Sequence, residues 1–217
     1  MLTYRIRDTA QVITLGQLAN LHPLLAFPAS GPDADMLDHL GLDVVHYAPP
    51  PECQTWETVV PADPVLTDKG WYQTGWAVVG PKGDALEDAV AADLVRRRAA
   101  KVDAINAERD RRLALGVTYS GKVFATDALT RTDLGGMATT ASLVLAGALD
   151  WPDSYAQGWI AADNTRLPLP TPQDGVALAA TVAGAYSATV QYARDLKDAA
   201  LVSDNPEGID IMAGWPS

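Results

Sequence analysis

Short alternating runs of apolar and polar residues, broken by prolines, fill the first part of the chain. Leu2, Tyr4 and Ile6 alternate with Thr3, Arg5 and Arg7, the period of a strand with one face buried. Thr14–His22 has the pattern of a short helix, which Pro23 stops because it lacks an amide donor and clashes with the preceding turn. Asp33–His39 reads as a helical turn leading to Gly41, and Leu42–Tyr47 as a strand ending at Pro49-Pro50-Pro51. Thr55–Val60 and Trp71–Val79 read as two strands, with Asp63-Pro64 and Asp68-Lys69-Gly70 in the loop between them. Gly80-Pro81-Lys82-Gly83 closes this region as a linker. Residues 1–82 are therefore expected to form a small β-rich domain.

From Asp84 the period lengthens. Asp84–Leu115 contains no proline or glycine, and strong helix formers dominate it. Val95, Val102 and Ile105 mark a partial apolar stripe, with Ala91 and Ala99 small enough for a close partner. Gly116 suits the left-handed position after the helix. Val117–Ala125 folds back at Ser120-Gly121, and Asp127 stands where a cap belongs before a helix over Ala128–Leu149. Gly135-Gly136 predicts a bend or a tight contact inside that helix, and Trp151-Pro152 is expected to stop it. Gly158–Leu169 reads as a second hairpin turning at Asp163-Asn164, with Pro168 confining its second strand to an edge. Thr171-Pro172-Gln173-Asp174 starts a last helix, reaching about Val202. Leu178, Val182, Ala185, Ala193, Leu196 and Ala200 recur along it at helical spacing, with a weak position near Thr189. Trp215 is expected to anchor an irregular tail. The fold class is α+β: a small β-rich N-terminal domain, then residues 83–217 as a three-helix domain with two short β-hairpins.

Composition narrows the function. The 217 residues are 48% hydrophobic and 20% charged, so a globular core is expected. The net charge of −11 argues against nucleic acid as a partner and against an anionic membrane surface. No signal-like or membrane-spanning run is present, which predicts a soluble protein made in a cytoplasm. Cys53 stands alone, which excludes an intramolecular disulfide and a multi-cysteine metal site.

Two clusters invite a binding role. Arg96, Arg97, Arg98, Lys101, Arg109, Arg111 and Arg112 sit on the Asp84–Leu115 helix among acidic residues. They form either a docking face for an acidic partner or a second copy, or a solvated face laced with pairs such as Glu108–Arg112, the second being favoured. Trp56, Trp71 and Trp76, with Tyr72, could line a sugar or peptide platform, though filling the core of a small sheet is the favoured reading. His22, His39 and His46 lack metal-ligand spacing, and no nucleophile-elbow or phosphate-loop pattern occurs. Asp127 and Asp133 resemble paired acids only until Asp127 is read as a cap, and Asp163-Asn164 fits a turn better than a catalytic loop. The expectation is a protein that is not an enzyme, with no catalytic residue, no cofactor and no metal site.

A resemblance goes further. The second half runs through Arg109–Val117, Phe124–Ala128 (FATDA), Trp159–Thr165 (WIAADNT), Thr171 with the following Pro-Gln, and Ala193–Ala199 (ARDLKDA). In this order it resembles the domain of unknown function 4376 of tailed-phage and prophage proteins, often found near tail-fibre genes. Asn20–Pro28 and Gly70–Trp76 are similar to the leader region that commonly precedes that domain. The family has no established catalytic residues. The resemblance implies a tail-associated structural protein, in the tail tip, baseplate or fibre, assembled in the host cytoplasm and residing in the virion. Its expected partners are other tail proteins or the fibre, and it is expected to be a homo-oligomer. A fibre-assembly chaperone not retained in the virion is the alternative. A carbohydrate-binding host-recognition module built on Trp56, Trp71 and Trp76 is a further one.

Overall fold

The structure, a computed structural model, describes residues 2–216. It comprises two compact units, Met1–Asp93 and Leu94–Ser217.

In the N-terminal unit, β1 (Thr3–Ile6) pairs antiparallel with β2 (Val12–Thr14). Helix α1 (Leu15–Leu21) follows β2 directly. Thr14 caps it and shares a reciprocal capping box with Gln17. Asp33 caps the short α2 (Ala34–His39) in the same manner, accepting from the Met36 amide at 2.9 Å. Strand β3 (Leu42–His46) lies on the other side of β1, and β4 (Thr58–Leu66) and β5 (Tyr72–Val79) complete a five-stranded sheet. The strand order is β2-β1-β3-β5-β4, and β3 with β5 is the parallel pair. Tyr4, Ile13, Leu18 and Leu42 form the buried core under α1 and α2.

Strand β4 departs from expectation. It starts at Thr58 rather than Thr55 and runs on through Pro61 and Pro64, which the sequence pattern places outside any strand. It stands at the sheet edge, where proline is tolerated because one side of the strand has no ladder to donate to. Its register breaks between Ala62 and Val65, where the backbone bulges toward β5. A Cβ at Gly75 would lie 1.8 Å from the Asp63 carbonyl, so only glycine admits this bulge.

Helix α3 (Asp84–Ala114) has the expected length, and the boundary between the two units falls within it rather than at the Gly80–Gly83 linker. After it, β6 (Val117–Tyr119) and β7 (Lys122–Phe124) form the first hairpin. Ser120 and Gly121, at φ 50° and 77°, give its two-residue turn the twist that suits paired strands. Asp127 caps α4 (Ala128–Leu145) and accepts from the Thr130 amide at 2.9 Å. Helix α4 ends before Leu149. Gly147, at φ 76°, donates to Val144 O while Ala148 donates to Leu143 O, a left-handed stop that precedes Trp151-Pro152. Gly135 and Gly136 make no tight contact either, since a Cβ on either would meet nothing within 4 Å.

A short α5 (Asp153–Ala156) leads into the second hairpin, β8 (Trp159–Ile160) with β9 (Arg166–Leu167), whose turn holds Asn164 at φ 61°. Asp163 accepts from the Thr165 amide at 2.9 Å and stabilises that turn. Helix α6 (Pro172–Val202) opens with the Thr171–Asp174 capping box, and a 3-10 turn at Pro206–Gly208 follows it. The architecture is α+β. The C-terminal unit adds α5 and the 3-10 turn to its long helices, so a three-helix description is incomplete.

Helix α6 serves two separate cores. Leu178, Ala179 and Val182 pack with Phe124, Leu134, Met137, Ala161 and Leu169, joining α4 and both hairpins. Farther along, Ala193 and Ala200 pack with Ile105 of α3 and with Ile209, Ile211 and Trp215 of the tail. Between the two cores Ala183, Gly184, Ser187 and Ala188 are exposed, next to the weak position expected near Thr189. Among the described residues, no helix is long and apolar enough to cross a membrane.

Truncating fully buried Met137 to alanine is expected to cost about 2–5 kcal/mol. Thr171→Ala, which removes one cap, should cost about 1 kcal/mol. Urea unfolding of both variants checks the ranking, and a larger loss at Thr171 would contradict the core described above.

Candidate functional site

On the C-terminal unit, Arg98, Lys101, Ile105, Glu108 and Arg112 follow one another at alternating spacings of three and four, so they lie on one face of α3. The chain after Val202 runs across this face. Arg98 Nε donates to Ser203 O at 2.9 Å, and its guanidinium reaches Asp204 at 3.4 Å. Lys101 Nζ donates to Glu207 O at 3.2 Å and Ile209 O at 2.9 Å. Arg97 pairs with the Glu207 carboxylate at 2.9 Å. Arg112 Nη2 donates to Met212 O at 2.9 Å, and its guanidinium lies 4.9 Å from the centre of the Trp215 ring. A segment with little regular structure leaves its carbonyls without ladder partners, and here cationic donors supply them.

Apolar contacts complete the attachment. Ile209, Ile211 and Trp215 pack against Ile105, Ala193 and Ala200, while Pro206 is fully buried. Tyr192 meets the Trp215 ring edge-on at 5.0 Å and donates its hydroxyl to Ala213 O at 2.9 Å. Gly214, at φ 79°, passes so close to this tyrosine that a Cβ would lie 2.3 Å from its hydroxyl oxygen.

Glu108 is the acid within the stripe, and its side chain is 7% exposed. Arg111 donates to both its oxygens at 2.7 Å, and Arg112 Nε donates at 2.7 Å. The Arg111 hydrogen bonds, reinforced by Arg112 and by the two positive charges, outweigh partial desolvation and lower its pKa from 4.5 to about 2. Arg112 thus joins a buried acid to the tail. That role was legible only as spacing, because an apolar stripe through Val95 was the more obvious pattern. Val95 is in fact 64% exposed.

The family described as domain of unknown function (DUF4376) matches residues 96–213, more than half of the chain. The chain belongs to the DUF4376 family. No curated protein and no solved structure matches it. The DUF4376 domain takes in the basic face of α3, both hairpins, α4, α6 and the tail as far as Ala213. The cation stripe and most of the segment it holds therefore lie within one family domain.

The residues singled out from sequence separate into several groups. Arg97 and Lys101 of the DUF4376 domain hold the tail, so this face is neither simply solvated nor bare. Arg109 bonds Asp110 at 2.8 Å and Asn106 at 3.1 Å, along its own helix, and Arg96 is exposed. Trp56, Trp71 and Trp76 lie outside the DUF4376 match. Trp76 is half-buried and donates its indole N–H to Ala48 O at 2.8 Å. Trp71 is exposed, with the His46 ring at 5.4 Å and Lys69 Nζ also at 5.4 Å. Trp56 is half-buried in the turn before β4. None of the three joins the buried core of Tyr4, Ile13, Leu18 and Leu42, so core filling does not account for them. Trp71 stands just before β5 and Trp76 within it, and their contacts, with His46 and Lys69 and with Ala48, are separate.

Asp127 and Asp163 both have carboxyls held below their usual range, by Thr130 and Thr165 respectively, as a cap and a turn require. Among the described residues, no three His, Cys, Asp or Glu side chains gather as metal ligands would.

Glu108 makes a pH-dependent contribution with a defined sign. Its folded pKa lies below the ordinary value, so the stabilisation is complete above about pH 4.5 and is lost as pH falls toward about 2. The difference in melting temperature between wild type and Glu108→Gln should be largest near neutrality and shrink across that window. A difference that stays constant down to pH 2 would contradict the arrangement.

Proposed function

We propose that this protein is a bacteriophage tail-associated structural component, of the tail tip, baseplate or fibre, acting through protein–protein contacts. It would assemble in the host cytoplasm and reside in the virion, as a homo-oligomer or against other tail proteins. The observation that carries this reading is the outer side of α4. From Leu134 to Leu149 the chain contains no charged residue. One side of α4 buries Leu134, Met137 and Ala141, while Leu129 and Leu143, turned away from that side among Thr132, Thr139 and Ser142, are 72% and 44% exposed. Large apolar residues left exposed on a helix whose other side is already packed commonly mark protein contacts.

DUF4376 membership adds to this through the family's resemblance-based link to tailed-phage genes. The tail held against α3 adds a second consideration. It occupies the basic face with the chain's own residues, which leaves exposed Leu129 and Leu143 of α4 as the better surface for another protein.

Mass spectrometry of purified virions tests the proposal. The protein should be present in several copies per particle, and Leu143→Lys should remove it from particles without lowering its melting temperature, because Leu143 is exposed in the last turn of α4, where a cation is favoured. Absence of the wild-type protein from particles would overturn the reading.

A further inference from the structure

The DUF4376 domain also contains a concavity of about 480 Å3 that nothing above uses. Thr130 and Asp133 of α4, Ser154 and Tyr155 of α5, and Trp159 and Arg166 of the second hairpin contribute side chains to its lining. Its size falls within the range of small-molecule sites.

The chemistry of the lining selects among ligands. Tyr155 and Trp159 are half-buried, with ring centres 6.2 Å apart, so the cleft has an aromatic wall. Asp133 makes no hydrogen bond or ion pair among the described residues, and its carboxylate can only accept. Arg166 donates one nitrogen to Gly158 O at 3.0 Å and keeps further N–H groups for another acceptor. A carboxylate and a guanidinium in one cleft, not paired with each other, disfavour both a plain anion and a plain cation. An extended peptide adding as a strand is disfavoured too, because several backbone groups of this wall are already bonded. Ala161 N donates to Thr165 O, Ala162 N to Val123 O and Gly158 N to Tyr155 O, at 2.8, 2.8 and 2.9 Å.

We propose that this cleft binds a neutral saccharide. A pyranose offers an apolar C–H face to the aromatic side chains and a rim of hydroxyls that both donate and accept. Asp133 takes hydrogen bonds from that rim, Arg166 gives them, the hydroxyls of Ser154 and Tyr155 do either, and Thr130, whose proton goes to Asp127 at 2.7 Å, accepts. The inference does not rest on residence in a phage tail, since the cleft would bind the sugar wherever the protein is found.

The test is a titration of the full-length, isotope-labelled protein followed by NMR. The probes are the methyl glycosides of glucose, galactose, mannose and N-acetylglucosamine, each taken to about 50 mM, which detects affinities in the millimolar range. At least one should produce saturable shifts at the Trp159 indole N–H and at the amides of Asp133 and Tyr155. Asp133→Ala, at an exposed residue without partners, should weaken that binding about 10-fold or more with an unchanged melting temperature. Ser154→Ala should weaken it less. The proposal is overturned if no glycoside gives saturable shifts, or if Asp133→Ala binds as wild type does. It is equally overturned if inorganic phosphate or a capped alanine-proline peptide shifts these resonances and no glycoside does.

Discussion

Cationic side chains of α3 hold the C-terminal segment mainly by its backbone. Arg98, Lys101 and Arg112 reach Ser203, Glu207, Ile209 and Met212 through carbonyl oxygens. A segment without a ladder of its own would leave these acceptors to water, and its apolar residues would then have no fixed position over Ile105. The same stripe contains buried Glu108, whose charge Arg111 and Arg112 neutralise. Ion pairs at a surface contribute little singly, but here they are joined to apolar burial and to each other.

Helix α6 explains why the segment matters. Its first half is closed by α4 and the two hairpins, which are tied together by the bond from Ala162 N to Val123 O at 2.8 Å. Its second half has only small buried residues, Ala193 and Ala200, opposite Ile105. Alanines bury little area alone and α6 adds only half-buried Leu196, so most of the large side chains of this core, Ile209, Ile211 and Trp215, arrive from the tail. The family match ends at Ala213, after Ile209 and Ile211 have been placed and just before Trp215. With the basic face of α3 covered by the tail, the protein partner is proposed at the side of α4 that bears exposed Leu129 and Leu143.

What was legible in the sequence was mostly local. Asp127, Thr171 and Thr14 act as caps or helix starts because capping depends on a side chain and amides within one turn. Ser120-Gly121 and Asn164 turn as expected because their backbone conformations are a property of the residues themselves. Errors arose where tertiary context decides. The first of the two strands reads as ending at Val60, with Asp63-Pro64 in a loop, until β4 is known to be an edge that carries its prolines. Gly147 stops α4 ahead of the more conspicuous Trp151-Pro152. Trp71 and Trp76 make separate contacts, with His46 and Lys69 and with Ala48, and His46 and Ala48 lie too far along the chain for any local pattern to show them. The basic cluster was visible as charge, but its partners lie about a hundred positions away in the chain, as in Arg98 with Ser203. No local pattern reports such a pairing, and only Trp215 marked the tail as anchored. The cleft beside Trp159 was equally hidden, because it draws on α4, α5 and the second hairpin together.

Amide hydrogen exchange on a chain ending at Val202, compared with the full chain, tests most directly whether the tail closes the second core. Loss of the tail should collapse protection around Ala193 and Ala200, while Leu178 and Val182 keep theirs because α4 and the hairpins still cover them. Unchanged protection through Ala200 would contradict the account, and so would its loss along the whole of α6.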